Sequence, residues 1–146
     1  AAHLAGIDQQ LSSSAIAQLF GTNAVNVEKS VPFSTTATQF QTASLLNFVC
    51  NSAGYYRVGW SYIWNYESTT DNIVVRAMLD GGTDLLYPYH YEQPYSAKIN
   101  QRKINSGNKY TYLTTGSHTI DLEVRSTKSG KSATIFYSNF EAYRSN

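Results

Sequence analysis

The segment Tyr87-Pro88-Tyr89-His90-Tyr91-Glu92-Gln93-Pro94-Tyr95 holds the side chains best suited to recognition chemistry, four tyrosines and a histidine around two prolines. Tyrosine combines an apolar ring face with a polar tip. A row of them can stack on a sugar ring while their hydroxyls, with Glu92 and Gln93, hydrogen-bond to ligand hydroxyls. The prolines keep the segment out of a central strand, because proline cannot donate to the ladder. Two uses fit such a loop. Tyr87, Tyr89, His90, Tyr91, Glu92, Gln93 and Tyr95 could contact a ligand, a glycan being the class they suit, or the loop could be buried over an open end of the fold or between subunits.

Catalytic chemistry is not signalled. His3, His90 and His118 sit in unlike contexts, and neither a Gly-x-Ser-x-Gly elbow nor a Cys/His pair accompanies them. His118 begins a strand after a turn and reads as a surface or strand-end residue. Glu67, Asp71, Asp80, Asp84 and Glu92 could supply a glycosidase pair only at a fixed separation across a cleft, which sequence does not give. Asp80 and Asp84 flank Gly81-Gly82-Thr83, but calcium needs six to eight oxygens and no periodic ligand loop is present. The expectation is a turn, no metal site, no catalytic residue, no enzyme and no cofactor. Lys98, Arg102, Lys103 and Lys109 lie near Tyr110 and Tyr112, a pattern of single-strand nucleic-acid binders. A net charge of only +1 argues for a solvated strand and no nucleic-acid partner.

The elements that must position these residues are strands. From Tyr56 to Tyr66 every second residue is large (Tyr56, Val58, Trp60, Tyr62, Trp64, Tyr66), while Arg57, Gly59, Ser61, Ile63 and Asn65 occupy the other face. That is a two-residue period, with one face heavily buried and the other small and mixed. The mixed face suits close approach by another chain or solvent. His118, Ile120, Leu122 and Val124 alternate in the same way with Thr119, Asp121, Glu123 and Arg125. Further strands are expected around residues 31–33, 39–50, 72–80, 85–87, 95–104, 109–113 and 132–144. Turns are expected at Ser52-Ala53-Gly54, residues 67–71, Asp80-Gly81-Gly82, Asn105-Ser106-Gly107-Asn108, Thr115-Gly116-Ser117 and Lys128-Ser129-Gly130. Eight to ten strands without helix after Gly21 predict an all-β, antiparallel jelly-roll sandwich over residues 22–146.

Before it, Leu4, Ile7, Leu11, Ala15, Ile16 and Leu19 are spaced as on a helix. Residues 1–21 are therefore expected to form a short N-terminal helical stalk or anchor. Leu4, Ile7 and Leu11 fit a heptad seam through which several chains could meet. At 146 residues the domain can bury about two-thirds of its unfolded surface and needs no staples. The single Cys50 excludes an intrachain disulfide and reads as a buried thiol. No apolar run approaches the roughly 20 residues of a membrane span, so no membrane insertion is expected, and the start lacks the pattern of a signal peptide. Residues 1–96 carry three basic and seven acidic side chains and residues 97–146 eight and three, an asymmetry that interleaved strands can dissolve or that can favour self-association.

The ordered motifs His3-Leu4-Ala5-Gly6-Ile7-Asp8, Gly54-Tyr55-Tyr56-Arg57-Val58-Gly59-Trp60-Ser61-Tyr62, Asp80-Gly81-Gly82 and Gly116-Ser117-His118-Thr119-Ile120-Asp121-Leu122-Glu123 resemble those of bacteriophage fibre and capsid-surface domains. The head of such proteins is similar to the tumour-necrosis-factor-like trimeric jelly roll. The resemblance implies a homotrimer on the virion surface, made in the host cytoplasm and in contact with other virion proteins, that attaches to a host receptor or glycan. The rival implication is a capsid decoration protein that cements the shell and has no receptor.

Overall fold

The computed structural model of the chain describes residues 24–85, 89–95 and 101–144. The expected helix over 1–21, with Leu4, Ile7 and Leu11, lies outside them, as does Tyr87. Ten strands follow one another: β1 (Ala24–Lys29), β2 (Phe33–Thr35), β3 (Gln41–Cys50), β4 (Gly54–Tyr66), β5 (Ile73–Leu79), β6 (Thr83–Asp84), β7 (His90–Glu92), β8 (Lys103–Leu113), β9 (Gly116–Ser126) and β10 (Ala133–Arg144). There is no helix among the described residues. The strands form two antiparallel sheets, one ordered β1-β10-β4-β8 with β2 on β10, the other β3-β9-β5-β6 with β7 on β5.

The pairings are nested. β1 pairs with β10, β3 with β9, β4 with β8 and β5 with β7, as when one long two-stranded ribbon is wrapped until its turns lie on each other. β4 then meets β10, and β5 meets β9. This is the jelly-roll order that the sequence predicts.

Burial follows the period of two. Tyr56, Val58, Trp60, Tyr62, Trp64 and Tyr66 of β4 are all buried and face Ile120, Leu122 and Val124 of β9 and Ile73, Val75 and Ala77 of β5 in one core. A buried tyrosine is tolerable only where its hydroxyl finds a partner. The Tyr56 hydroxyl donates to the Ser52 carbonyl at 2.9 Å, Tyr66 meets Ser126 Oγ of the opposite sheet at 2.6 Å, and Tyr62 reaches His90. Cys50 is fully buried, and burial pushes its thiol up.

Three expectations need correction. Asn105-Ser106-Gly107-Asn108 is no turn but the middle of β8, paired in register with Tyr62, Ser61, Trp60 and Gly59. Gly107 is required there by packing, since a Cβ would lie 2.7 Å from the Trp60 ring. β1 was not among the expected strands, and the strand expected at 31–33 is β2, two residues later. His118 lies near the start of β9 but is buried, not on the surface. Its Nδ1 lies 2.7 Å from Oδ2 of Asp80 and its Nε2 2.7 Å from the Thr114 carbonyl. Both partners accept, so the protonated ring, an imidazolium, donates through both nitrogens. Burial opposes that charge, but the Asp80 carboxylate and the Thr114 carbonyl outweigh it and raise the pKa. Asp80 is in the left-handed region (φ 51°) within the expected Asp80-Gly81-Gly82 turn. Its other oxygen accepts from the Thr119 amide at 2.8 Å, so the carboxylate clamps the turn to β9.

Candidate functional site

β7 is the edge strand of one sheet and β8 the edge strand of the other, so the sandwich has a seam between them. The alternation of β7 decides which residues close it. His90 points inward between the sheets, its ring 5.3 Å edge-on from Trp64 and its Nδ1 2.5 Å from the Tyr62 hydroxyl. Its Nε2 lies 2.8 Å from Oε1 of Glu92. The carboxylate can only accept, so Nε2 carries the proton, and in the neutral tautomer Nδ1 accepts from Tyr62. Oε2 of Glu92 accepts from Lys103 Nζ at 2.8 Å. A chain of four polar groups, Tyr62, His90, Glu92 and Lys103, thus runs from the core to the surface.

The electrostatics match this arrangement. Burial first, and the Glu92 charge second, push the Tyr62 phenol far above its ordinary value, keeping it a donor. Burial tends to raise the Glu92 pKa, but hydrogen bonds from Lys103 and His90 outweigh it and hold the carboxyl below its usual value. Lys103 Nζ also lies 5.4 Å from the Trp64 ring centre and 5.5 Å from that of Tyr95, within cation–π range. Gln93 donates to the Thr69 carbonyl. Thr69, Glu92, Gln93, Pro94, Tyr95 and Lys103 line an open cleft of about 690 Å³, inside the roughly 300–1,000 Å³ of small-molecule sites. Tyr95 is three-quarters exposed, at 75%.

The structure divides the seven loop residues singled out from sequence. His90, Glu92, Gln93 and Tyr95 meet at the seam. Tyr89 and Tyr91 lie on the other side of β7, with Tyr89 6.0 Å edge-on from Phe40, 6.2 Å from Tyr91 and its ring 6.0 Å from the Arg76 guanidinium. Tyr62, Trp64 and Lys103 were missed as members of this site. The first two had been read as core, and Lys103 as part of a solvated basic group. Only the pairing of β4 with β8, which sets Lys103 opposite Trp64, brings them to His90. Among the described residues no group of histidine, cysteine and carboxylate side chains could hold a metal, and no helix is long and apolar enough to cross a membrane.

No family model matches the chain, and no curated protein matches it. Solved structures do. The chain is similar to part of dimeric latent PorU from Porphyromonas gingivalis, at 12% identity and a TM-score of 0.58 over 84% of this chain and 13% of that one. It is also similar to the structure of infectious bursal disease virus, Gx strain, at 12% identity and a TM-score of 0.52 over 84% of this chain and 36% of that one. The C-terminal domain of EclA, a sugar-binding protein, aligns at 12% identity over 80% of this chain and 77% of its own with a TM-score of only 0.44. This chain therefore spans only 13% of the first protein and 36% of the second. What they share with it is the two-sheet fold.

Proposed function

We propose that this chain is the head domain of a homotrimeric virion-surface fibre that attaches to a host-surface receptor, with a glycan as the bound class, and that it does so without catalysis. The observation that carries the reading is Tyr95, exposed and poised over the Lys103 ammonium at the mouth of the seam cleft. An aromatic face beside an ion pair can stack on a sugar ring while Glu92, Lys103 and Gln93 address its hydroxyls. The Tyr62–His90–Glu92–Lys103 chain holds that surface in place before a ligand arrives, which lowers the ordering cost of binding. The two-sheet fold shared with a virus particle accords with a virion role. Three copies on one axis would turn a weak site into firm attachment by raising effective concentration. The association would involve Leu4, Ile7 and Leu11, outside the described residues.

The test combines a glycan array with light scattering. The expected result is a trimeric mass and retention of at least one host-surface glycan, with about tenfold weaker retention for Tyr95→Ala. A monomer with and without residues 1–21 would overturn the trimer. Retention unchanged in Tyr95→Ala would overturn the seam as the site, and a trimer that retains no glycan would favour the capsid-decoration role.

A further inference from the structure

The outer face of the β1-β10-β4-β8 sheet carries a second cavity, separate from the seam. The mixed face of β4 forms its centre. In register across β8, β4 and β10 lie the rows Ser106–Ser61–Asn139 and Asn108–Gly59–Glu141, a floor of small polar side chains. The row beyond it on one side is Tyr110–Arg57–Tyr143, and on the other Ile104–Ile63–Tyr137. Bulky groups thus bound the floor at both ends, and the trough between them encloses about 360 Å³. Gly59 keeps it low. A Cβ there would fall 2.9 Å from Oε1 of Glu141, which lies across the glycine and is held by Arg57 Nη1 at 3.3 Å. Arg57 also donates to the Tyr143 hydroxyl at 2.7 Å.

Three properties define what fits. First, hydrogen-bonding capacity is unused. Oδ1 of Asn139, in the floor row, is buried without a partner among the described residues. The side chains of Ser61, Ser106 and Asn108 are likewise not tied to any described residue. Ser61, Ser106 and Asn108 thus keep donors and acceptors that a ligand able both to donate and to accept can use. Second, the charges of Arg57 and Glu141 cancel, and Glu28 lies beside Asn139 on β1. The local balance is slightly negative and disfavours anions. Third, Tyr110 is 58% exposed, and beyond it Tyr55 and Tyr112 form an edge-to-face pair with centroids 5.4 Å apart. Those rings offer faces to C–H groups. An interface between two copies would need an apolar, charge-depleted centre, and this centre is amide, hydroxyl and ion pair.

We propose that the trough is a binding site for a neutral oligosaccharide, independent of the seam, with a sugar ring over Gly59 and Ser61 and its C–H face against Tyr110. The site does not depend on the seam reading, and the test separates the two. Saturation-transfer NMR on the full chain would be run with malto-, cello-, chito- and galacto-oligosaccharides and with sialylated galacto-oligosaccharides. At least one neutral member should bind and its sialylated counterpart bind about tenfold more weakly. Tyr110→Ala and Ser106→Gln, both at exposed positions, should each weaken binding by about tenfold, and Tyr95→Ala should leave it unchanged. Equal melting temperatures would confirm that the variants are folded. The proposal falls if no neutral member binds, or if binding is lost with Tyr95→Ala and kept with the two trough variants. It also falls if sedimentation shows a self-association that the trough variants abolish, since a second copy would then occupy the face.

Discussion

At the seam every polar side-chain atom of His90 and Glu92 is matched by a neighbour, whereas in the trough the side chains of Ser61, Ser106 and Asn108 have no partner among the described residues. Both regions border β8. The seam network is closed apart from the buried Nε1 of Trp64, which has no partner among the described residues, and the trough is left open. A saturated network is rigid and mostly stabilising, with ligand contact delegated to the exposed ring of Tyr95. An unsaturated floor contributes little to stability and keeps its hydrogen bonds for something else. Substitutions should therefore affect stability at the seam and binding at the trough, and that division can be broken.

The largest effect expected is at His90. His90→Ala would strand the buried Tyr62 hydroxyl, remove the partner of Glu92 Oε1 and open space beside Trp64. Urea denaturation should report a loss of about 2–4 kcal/mol, and a loss under 0.5 would mean that the network is ornamental.

Next come the two trough glycines, which should behave differently. Gly107→Ala sets a Cβ against the rigid Trp60 ring at 2.7 Å, while Gly59→Ala meets only the movable end of Glu141 at 2.9 Å. Chemical denaturation should give about 1–3 kcal/mol for the first and well under 1 for the second. Equal costs would refute the view that Trp60 dictates Gly107.

A smaller effect is expected from pH. The His118 pKa is raised in the fold, so its stabilisation is complete below about pH 6.5 and declines as the pH rises past the folded value. Glu92 is lowered, so its contribution is present above about pH 4.3 and is lost as the pH falls through its folded value. Asp121, pushed up to about 6 mainly by burial, favours the folded state on acidification between about pH 4 and 6. The histidine is therefore best read above pH 6. Melting temperature should fall from pH 6 to pH 8 and do so less steeply in Asp80→Asn. An identical slope in both proteins would remove His118 from the account.

The smallest stability effect should come from Tyr110→Ala, within about 0.5 kcal/mol for an exposed side chain. A large loss by differential scanning calorimetry would show that the trough rim is structural after all.

Much of the fold was legible because the period of β4 and β9 is unambiguous and one face of each is nearly all large and apolar. The misread segment at Asn105–Asn108 shows the limit of composition. Small polar residues with a glycine make a turn when the chain reverses, and they make a low sheet floor when an indole on the next strand takes the missing Cβ's place. Nothing within those four residues distinguishes the cases, because Trp60 is more than forty positions away. The same holds at the seam. The spacing of Tyr87 to Tyr95 marked a polar aromatic loop, but it is strand pairing that selects Tyr62, Trp64 and Lys103 as companions of His90 and turns Tyr89 and Tyr91 to the other side.

The nested ribbon has a consequence for how the chain is made. β4 lies between β10 and β8, both of which follow it in sequence, so as the polypeptide emerges the most aromatic strand is complete while neither flanking strand yet exists. One edge must wait for β8, finished at Leu113, and the other for β10, finished at Arg144. During that interval β4 is a sticky template for neighbouring nascent copies. Yield of native protein should therefore depend on synthesis rate and temperature more than the finished domain's own stability would suggest.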